Sequence, residues 1–149
     1  MTTPRTEWPS TPIPEPIKHL LNKFYSLGDQ KSDDASRQLG EDVFTPTGQI
    51  VVNKRTINGP AEIAVSNHGF WEGIKTRHHE VLKIYTCNDA ADDLMLIGSV
   101  TWGFENGQIV EAGFCARAVI DDSYSEKPKL QLYQGWIDPS EMQDALKQQ

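Results

Sequence analysis

Residues 94–120, LMLIGSVTWGFENGQIVEAGFCARAVI, carry the strongest structural signal in the chain. Leu94–Phe104 and Ile109–Ile120 are each rich in β-branched, aromatic and small residues, as expected for long strands. Asn106-Gly107 lies between them and is the strongest short-range hairpin signal that a sequence offers. We therefore predict a long antiparallel hairpin with a two-residue type I′ turn.

Strand patterns continue on both sides of this hairpin. Thr76–Tyr85 precedes it across an acidic turn at Asp89–Asp93, and Leu130–Ile137 follows it after a polar loop, Asp121–Pro128. Four long strands in succession predict an antiparallel meander.

The first half of the chain is mainly helical. Apolar residues at helical spacing predict a first helix over Pro16–Leu27, ended by Gly28. A short helix capped at residue 33 or 34 is expected to stop at Gly40, and short strands follow around a turn at Thr45–Gly48. Pro60 opens a third helix that runs to residue 74, and a short helix is expected after residue 138. Helices gathered on one face of a meander predict the α+β class.

Length and composition indicate one domain. The chain has 149 residues, 38% hydrophobic and 23% charged, which is enough for a hydrophobic core. We divide it into an extended N-terminal arm, residues 1–15, and one α+β domain, residues 16–149. No apolar run reaches the roughly 18 residues that a membrane-spanning helix needs. The arm lacks the apolar segment of a signal peptide, so we expect a cytoplasmic protein.

The charge and the cysteines exclude two kinds of site. The net charge is −7 and no Lys/Arg cluster follows any predicted face, so a nucleic-acid groove is not expected. Cys87 and Cys115 lie far apart and match no metal-binding spacing. We therefore expect neither a nucleic-acid partner nor a metal.

Seven short motifs resemble one family in their order and spacing. Three lie in the first half, at Phe24–Asp29, Val43–Gly48 and Asn58–Ile63. Four lie in the second half and resemble fungal members in particular: Arg77–Val81, Leu94–Gly98, Phe104–Gly107 and Tyr133–Asp138. Together they resemble the SnoaL-like proteins of the nuclear transport factor 2-like superfamily. This resemblance implies a half-open cone, in which about three N-terminal helices cover the concave face of a curved, mainly antiparallel sheet.

The same resemblance implies two classes of function. The superfamily includes ketosteroid isomerase, scytalone dehydratase and polyketide cyclases, which are mostly acid–base enzymes that need no cofactor. It also includes non-catalytic transport factors and dimerisation modules, so the fold alone does not determine the function. We expect a cofactor-independent isomerase, cyclase or dehydratase that acts on an apolar polyketide- or terpenoid-like small molecule. The alternative is a non-catalytic small-molecule-binding or dimerisation module.

His79 and Asp29 are the candidate catalytic residues. Neighbours on a strand point to opposite faces, so only one of His78 and His79 can enter a cone, and the alternation along the strand does not decide which. The family pattern matches Arg77, His79 and Val81, and related dehydratases have a catalytic histidine near this point, which implies His79. The resemblance also implies that Asp29 partners a histidine or a water. A carboxylate at a helix end can instead bond backbone N–H groups.

Six residues are candidates for binding a substrate: Tyr25, Trp71, Trp102, Phe114, Arg117 and Tyr133. Aromatic side chains suit a pocket for a flat apolar ligand, although each can equally be ordinary core. Tyr25 could donate a hydrogen bond to a substrate carbonyl. Arg117 would bind a carboxylate or enolate if it faces the pocket. Small and apolar side chains occupy the other face of its strand, so Arg117 can instead pair with Glu111 or lie at a subunit interface.

Two further expectations concern mechanism and assembly. The acidic trio of ketosteroid isomerase has no counterpart here, and Leu94–Ile97 stand where related dehydratases have a second histidine, so no known mechanism transfers whole. The outer face of the meander would carry Leu94, Leu96, Trp102 or their alternates. Such a face is too apolar to remain exposed, and we expect a homodimer.

Overall fold

The structure is a computed structural model that describes residues 1–123 and 127–148. Within these residues, seven strands and four α-helices follow one another in the order β1 (Thr2–Glu7), α1 (Glu15–Gly28), α2 (Asp33–Gln38), β2 (Phe44–Val52), β3 (Arg55–Asn58), α3 (Gly59–Gly69), β4 (Ile74–Thr86), β5 (Asp93–Phe104), β6 (Ile109–Asp121), β7 (Lys129–Ile137) and α4 (Ser140–Lys147). The predicted α+β class is confirmed. None of the helices in the described ranges is long and apolar enough to cross a membrane.

One sheet contains all the described strands, in the order β1-β4-β5-β6-β7-β2-β3. Strands β4 to β7 form the predicted antiparallel meander. Strand β1 lies parallel to β4, and β2 lies parallel to β7, so the two ends of the sheet are mixed. The predicted, mainly antiparallel sheet is therefore present.

The N-terminal arm contributes the strand at one edge of this sheet. Thr6 Oγ1 donates a hydrogen bond of 2.7 Å to the Val81 carbonyl oxygen, and Arg5 binds both oxygens of Glu80 at 2.7 and 2.8 Å. The first half of the arm is thus part of the sheet.

The second helix differs from its predicted ends. Its N-cap is Ser32, whose hydroxyl accepts a hydrogen bond from Ala35 N at 3.0 Å. It does not stop at Gly40, because the chain continues as a π-helical segment, Leu39–Val43. A side chain at Gly40 would collide with the carbonyl oxygen of Pro60. This glycine is therefore required for close packing against the start of α3, and not for ending a helix.

Two other local predictions were wrong. The expected turn at Thr45–Gly48 is part of β2, which has an irregularity in its pairing with β7 between Phe44 and Gln49. A Cβ at Gly48 would lie 2.9 Å from the Leu130 carbonyl oxygen, so glycine lets the two strands approach at the irregularity. The third helix ends at Gly69, and residue 74 already begins β4.

The turn between β5 and β6 is not type I′. A type I′ turn needs positive φ at both central residues, but of the predicted pair only Gly107 has one, at +87°. Gly107 N donates to Phe104 O at 3.0 Å and Phe104 N donates to Gln108 O at 2.9 Å. These bonds define a three-residue loop in which a left-handed glycine follows a tight turn. The Asn106 side chain accepts from Gln108 N at 3.0 Å, which stabilises the non-left-handed Asn106.

Replacing Gly107 with valine is expected to destabilise the domain by about 1 kcal/mol or more, because a β-branched residue is strained in the left-handed region. No atom lies within 4 Å of a Cβ built there, so backbone strain is the cause. Denaturant unfolding measures the effect. Gly113→Val is the matched control, since Gly113 lies in strand β6 with ordinary φ and has room for a side chain. Equal midpoints for the two variants would contradict this account of the turn.

The two faces of the meander differ in character. Leu94, Leu96 and Trp102 are buried on the concave face, and Met95 and Ile97 project from the convex face. The core thus lies between the concave face and the helices.

Candidate functional site

A cavity of about 240 Å³ lies between the concave face of the sheet and helices α1, α3 and α4. Most of the side chains that line it are apolar. The polar exceptions are few and include Tyr25, Asn67, Arg77, His79 and Tyr133. Across residues 1–123 and 127–148, no group of three or more His, Cys, Asp and Glu side chains is arranged to hold a metal ion.

Gly98 allows the sheet to form the floor of this cavity. A Cβ at Gly98 would lie 2.5 Å from Cζ of Phe114 and 2.5 Å from the Glu80 carbonyl oxygen. The Phe114 ring can therefore lie flat over the glycine of the neighbouring strand, and it lines the cavity from there.

His79 lines the cavity and forms a hydrogen-bonded pair with Asp29. Asp29 caps the C-terminus of α1, and His79 lies on the concave side of β4. His79 Nδ1 and Asp29 Oδ1 are 2.6 Å apart, and the His79 backbone N–H donates to Asp29 Oδ2 at 2.7 Å. The carboxylate thus holds both the ring and the backbone of the same residue. With Nδ1 donating to Asp29, Nε2 keeps its lone pair, and no described residue bonds to it.

His78 points away from the cavity. It is exposed on the opposite side of β4, paired with Thr101 in register. A bulge between Val81 and Lys83 shifts the alternation of this strand, so that Val81 and Ile84 are both buried. This bulge explains why alternation along the sequence does not separate the two histidines.

The pKa values of His79 and Asp29 are both lowered, each by a balance of opposing effects. Burial lowers the pKa of His79 below its ordinary value, although the hydrogen bond and charge of Asp29 oppose that effect. Burial alone would raise the pKa of Asp29, but the hydrogen bonds from His79 and the charge of Arg77 together lower it. A neutral imidazole beside an ionised carboxylate is the protonation state of a general base at neutral pH.

Tyr25 and Tyr133 contribute a pair of hydroxyl groups to the cavity that His79 also lines. Their oxygens are 3.1 Å apart, both residues are buried, and the rings of Tyr25 and His79 lie 5.4 Å apart between centroids. Burial raises the pKa of each phenol. Both hydroxyls therefore stay protonated, and the proton not used between them can bond an oxygen in the cavity.

Four of the six residues predicted to bind substrate line the cavity: Tyr25, Trp102, Phe114 and Tyr133. Trp71 is not among the described residues that line it, because its ring packs under the guanidinium of Arg77, 4.5 Å away.

Arg117 also lies outside the cavity. Ala116 and Ala118 are buried on the concave face of β6, so the intervening Arg117 projects from the convex face. It binds both oxygens of Asp93 at 2.8 and 2.6 Å, and not Glu111. The prediction that Arg117 could bind substrate in the pocket is corrected by this position.

Arg77 and Asn67 are site residues that the sequence analysis did not select. Arg77 lines the cavity two residues before His79, and its Nη2 donates to Asn67 Oδ1 at 3.0 Å. The sequence does contain a signal for Arg77, because residues i and i+2 of a strand share a face. No comparable signal exists for Asn67, which reaches the site from α3.

Comparisons with known proteins agree with this architecture. The sequence matches no protein-family model and no curated protein. The structure is similar to a SnoaL-like protein from Jannaschia sp. CCS1 that is assigned as a polyketide cyclase, with a TM-score of 0.70 and 14% identity over 93% of this chain and 96% of that one. It is similar to TerC crystallised with polyporic acid, with a TM-score of 0.70 and 11% identity over 89% and 99% of the two chains.

A third similar structure is a protein of the SnoaL-like family from Agrobacterium tumefaciens str. C58 that is assigned as an isomerase. Its TM-score is 0.61 and its identity 12%, over 83% of this chain and 97% of that one. Identities this low establish the fold alone. The chain has the cone-shaped α+β fold of SnoaL-like and nuclear transport factor 2-like proteins, as predicted.

Proposed function

We propose that the protein is a cofactor-independent isomerase, cyclase or dehydratase that acts by acid–base chemistry on an apolar polyketide- or terpenoid-like small molecule. One observation carries this proposal: His79 lines an apolar cavity, and its ring nitrogen lies 2.6 Å from the carboxylate of Asp29. Buried pairs of titratable groups with shifted pKa values are concentrated at catalytic sites.

The proposed chemistry begins with a proton on carbon next to a substrate carbonyl. Nε2 of His79 takes this proton, and the C–H electron pair moves to form an enolate. Asp29 stabilises the imidazolium that results, while the hydroxyl of Tyr25 or Tyr133 whose proton is not used between them donates to the enolate oxygen. Returning the proton to a different carbon completes an isomerisation, and expelling a β-hydroxyl group with the same proton completes a dehydration.

The second candidate is a non-catalytic module that binds a small molecule or dimerises. The predominantly apolar lining of the cavity favours it, because an apolar ligand gains its affinity from such walls alone. TerC, which shares the fold, was crystallised with polyporic acid.

A neutral bicyclic ketone, 1-tetralone, separates the two candidates. We expect it to bind in the cavity and to shift the ring signals of His79 in NMR spectra of ¹⁵N-labelled protein, whereas those of His78 on the opposite face stay unchanged. We also expect the protein to accelerate exchange of the α-hydrogens of 1-tetralone for deuterium in D₂O. Binding without exchange would favour the non-catalytic module. A shift of His78 alone would contradict the placement of the site.

We also propose that the protein is a homodimer joined through the convex face of the sheet. Tyr85 on β4, Met95 and Ile97 on β5 and Trp136 on β7 are 46%, 37%, 43% and 40% exposed. The register pairs Tyr85 with Met95 and aligns Ile97 with Trp136 across Cys115 of β6. Sedimentation at micromolar concentration is expected to show twice the chain mass of 16.7 kDa. Ile97→Lys should reduce it to 16.7 kDa, and Val65→Lys, an exposed position on α3, should not. Wild-type protein that sediments only as the single chain would contradict the dimer.

A further inference from the structure

We propose that Arg77 is a positioning residue for the His79–Asp29 pair: it holds the Asp29 carboxylate in place and compensates its charge, so that His79 is left as a free base. This inference rests on the proposed function. It concerns a residue that does not itself contact the reacting atoms.

Arg77 and the His79 ring approach the same oxygen of Asp29. Arg77 Nε lies 3.6 Å from Asp29 Oδ1, the same oxygen that is 2.6 Å from His79 Nδ1. The Arg77 and Asp29 side chains are each only 9% exposed. Arg77 Nε has no hydrogen-bond partner among the described residues, and it forms an ion pair with the Asp29 oxygen at 3.6 Å. One carboxylate thus interacts with both the cation and the imidazole.

The guanidinium is held from several sides. Nη2 donates to the Gly28 carbonyl oxygen at the end of α1 and to Asn67 Oδ1 at 3.0 Å. Asn67 is itself buried, and its Nδ2 donates to Ser36 Oγ of α2 at 2.8 Å. The indole ring of Trp71 lies against the guanidinium plane. Contacts from α1 and α3, and from α2 through Asn67, therefore hold the guanidinium group that faces Asp29. Charge compensation alone would not require this many contacts.

Burial and three charged groups determine the protonation of His79. Asp29 favours the imidazolium, whereas Arg77 and the Met1 amino group, which donates to the His79 carbonyl oxygen at 2.6 Å, disfavour it. Tyr25 and Tyr133 lie alongside as neutral phenols. Burial, Arg77 and the Met1 amino group outweigh Asp29, so the pKa of His79 is lowered. Without Arg77, the charge of Asp29 would be uncompensated and would draw a proton onto the imidazole.

NMR titration of the His79 ring tests this role without any substrate. Arg77→Met is expected to raise the His79 pKa by about one unit or more, the effect of one buried neighbouring charge. Arg77→Lys keeps the charge and should leave the pKa near the wild-type value. Arg37→Met makes the same substitution at an exposed arginine on α2 and should have no effect. A merely structural arginine would lower stability and leave the His79 pKa unmoved, and that result would overturn the proposal.

A second variant keeps the test decisive if Arg77→Met does not fold. Asn67→Asp is nearly isosteric and places a carboxylate against the guanidinium, 3.0 Å from Nη2. It should also raise the His79 pKa, but by less than Arg77→Met does. An unchanged His79 pKa would again overturn the proposal. Deuterium exchange of 1-tetralone is recorded separately on the wild-type protein. Absence of exchange contradicts the proposed function, while the titration alone decides the role of Arg77.

Discussion

Replacing His79 with alanine is expected to slow α-hydrogen exchange of 1-tetralone by about 10²–10⁴-fold, the usual contribution of a general base. The reason is positional, because Nε2 of His79 is the one imidazole nitrogen at the cavity that Asp29 leaves with a free lone pair. The fold should survive the change, since the ring packs beside Tyr25 and Phe114 at a partly open cavity and not within a closed core. Initial exchange rates measured by proton NMR give the effect.

Two matched variants and the pH profile complete this test. His78→Ala changes the neighbouring histidine on the exposed face of β4 and should leave the rate unchanged. Asp29→Asn should also slow exchange strongly, because an amide NH₂ can donate to Nδ1 and leave the ring proton on Nε2, which is the wrong tautomer for a base. Burial lowers the pKa of His79, so the rate should be constant near neutral pH and fall only as the pH drops through that lowered value. Equal rates for wild type and His79→Ala would exclude His79 as the base.

Replacing Asp29 with alanine is expected to lower the free energy of unfolding by about 3–5 kcal/mol, the cost of removing one partner from a buried ion pair. Without the carboxylate, the guanidinium of Arg77 remains buried without a counter-charge, and the His79 ring and backbone lose hydrogen bonds of 2.6 and 2.7 Å. Urea unfolding at pH 7 measures the loss.

A double-mutant cycle shows whether the loss arises from the pair. In an Arg77→Met background, Asp29→Ala should cost much less, because the two changes share one interaction. Losses of unfolding free energy that simply add would contradict the coupling.

The sign of the pH dependence follows from the lowered pKa of Asp29. Its stabilisation is present above the ordinary carboxyl pKa of about 4 and is lost as the pH falls through the lower folded value, so wild type and Asp29→Ala should converge in strong acid.

The strands of the meander were accessible to sequence reasoning because a half-buried strand repeats every two residues. Leu94, Leu96 and Trp102 occupy alternate positions of β5 and are buried on the same face. Phe114 and Ala116 share the concave face of the next strand. The failures lie where the backbone departs from this repeat.

Local backbone geometry was the least predictable part. The bulge after Val81 reverses which alternate residues of β4 face the core. Gly40 is explained only by its contact with Pro60, which lies twenty positions later in the chain. At the hairpin, Asn106-Gly107 predicts the position of the turn but not its type. The length of the loop is set by the register of the two strands, which depends on the whole sheet.

The sequence by itself determined the α+β class and the order of the main elements, because hydrophobic period and turn residues are local properties. The candidates His79 and Asp29 came from the resemblance to SnoaL-like proteins. Only the tertiary structure decided that these two side chains meet 2.6 Å apart, although 50 residues separate them. It also decided that Arg77 lies 3.6 Å from Asp29 and that Arg117 does not enter the cavity. Contacts between a helix end and a distant strand depend on how the sheet curves and where it bulges, and residue spacing along the chain contains no measure of either.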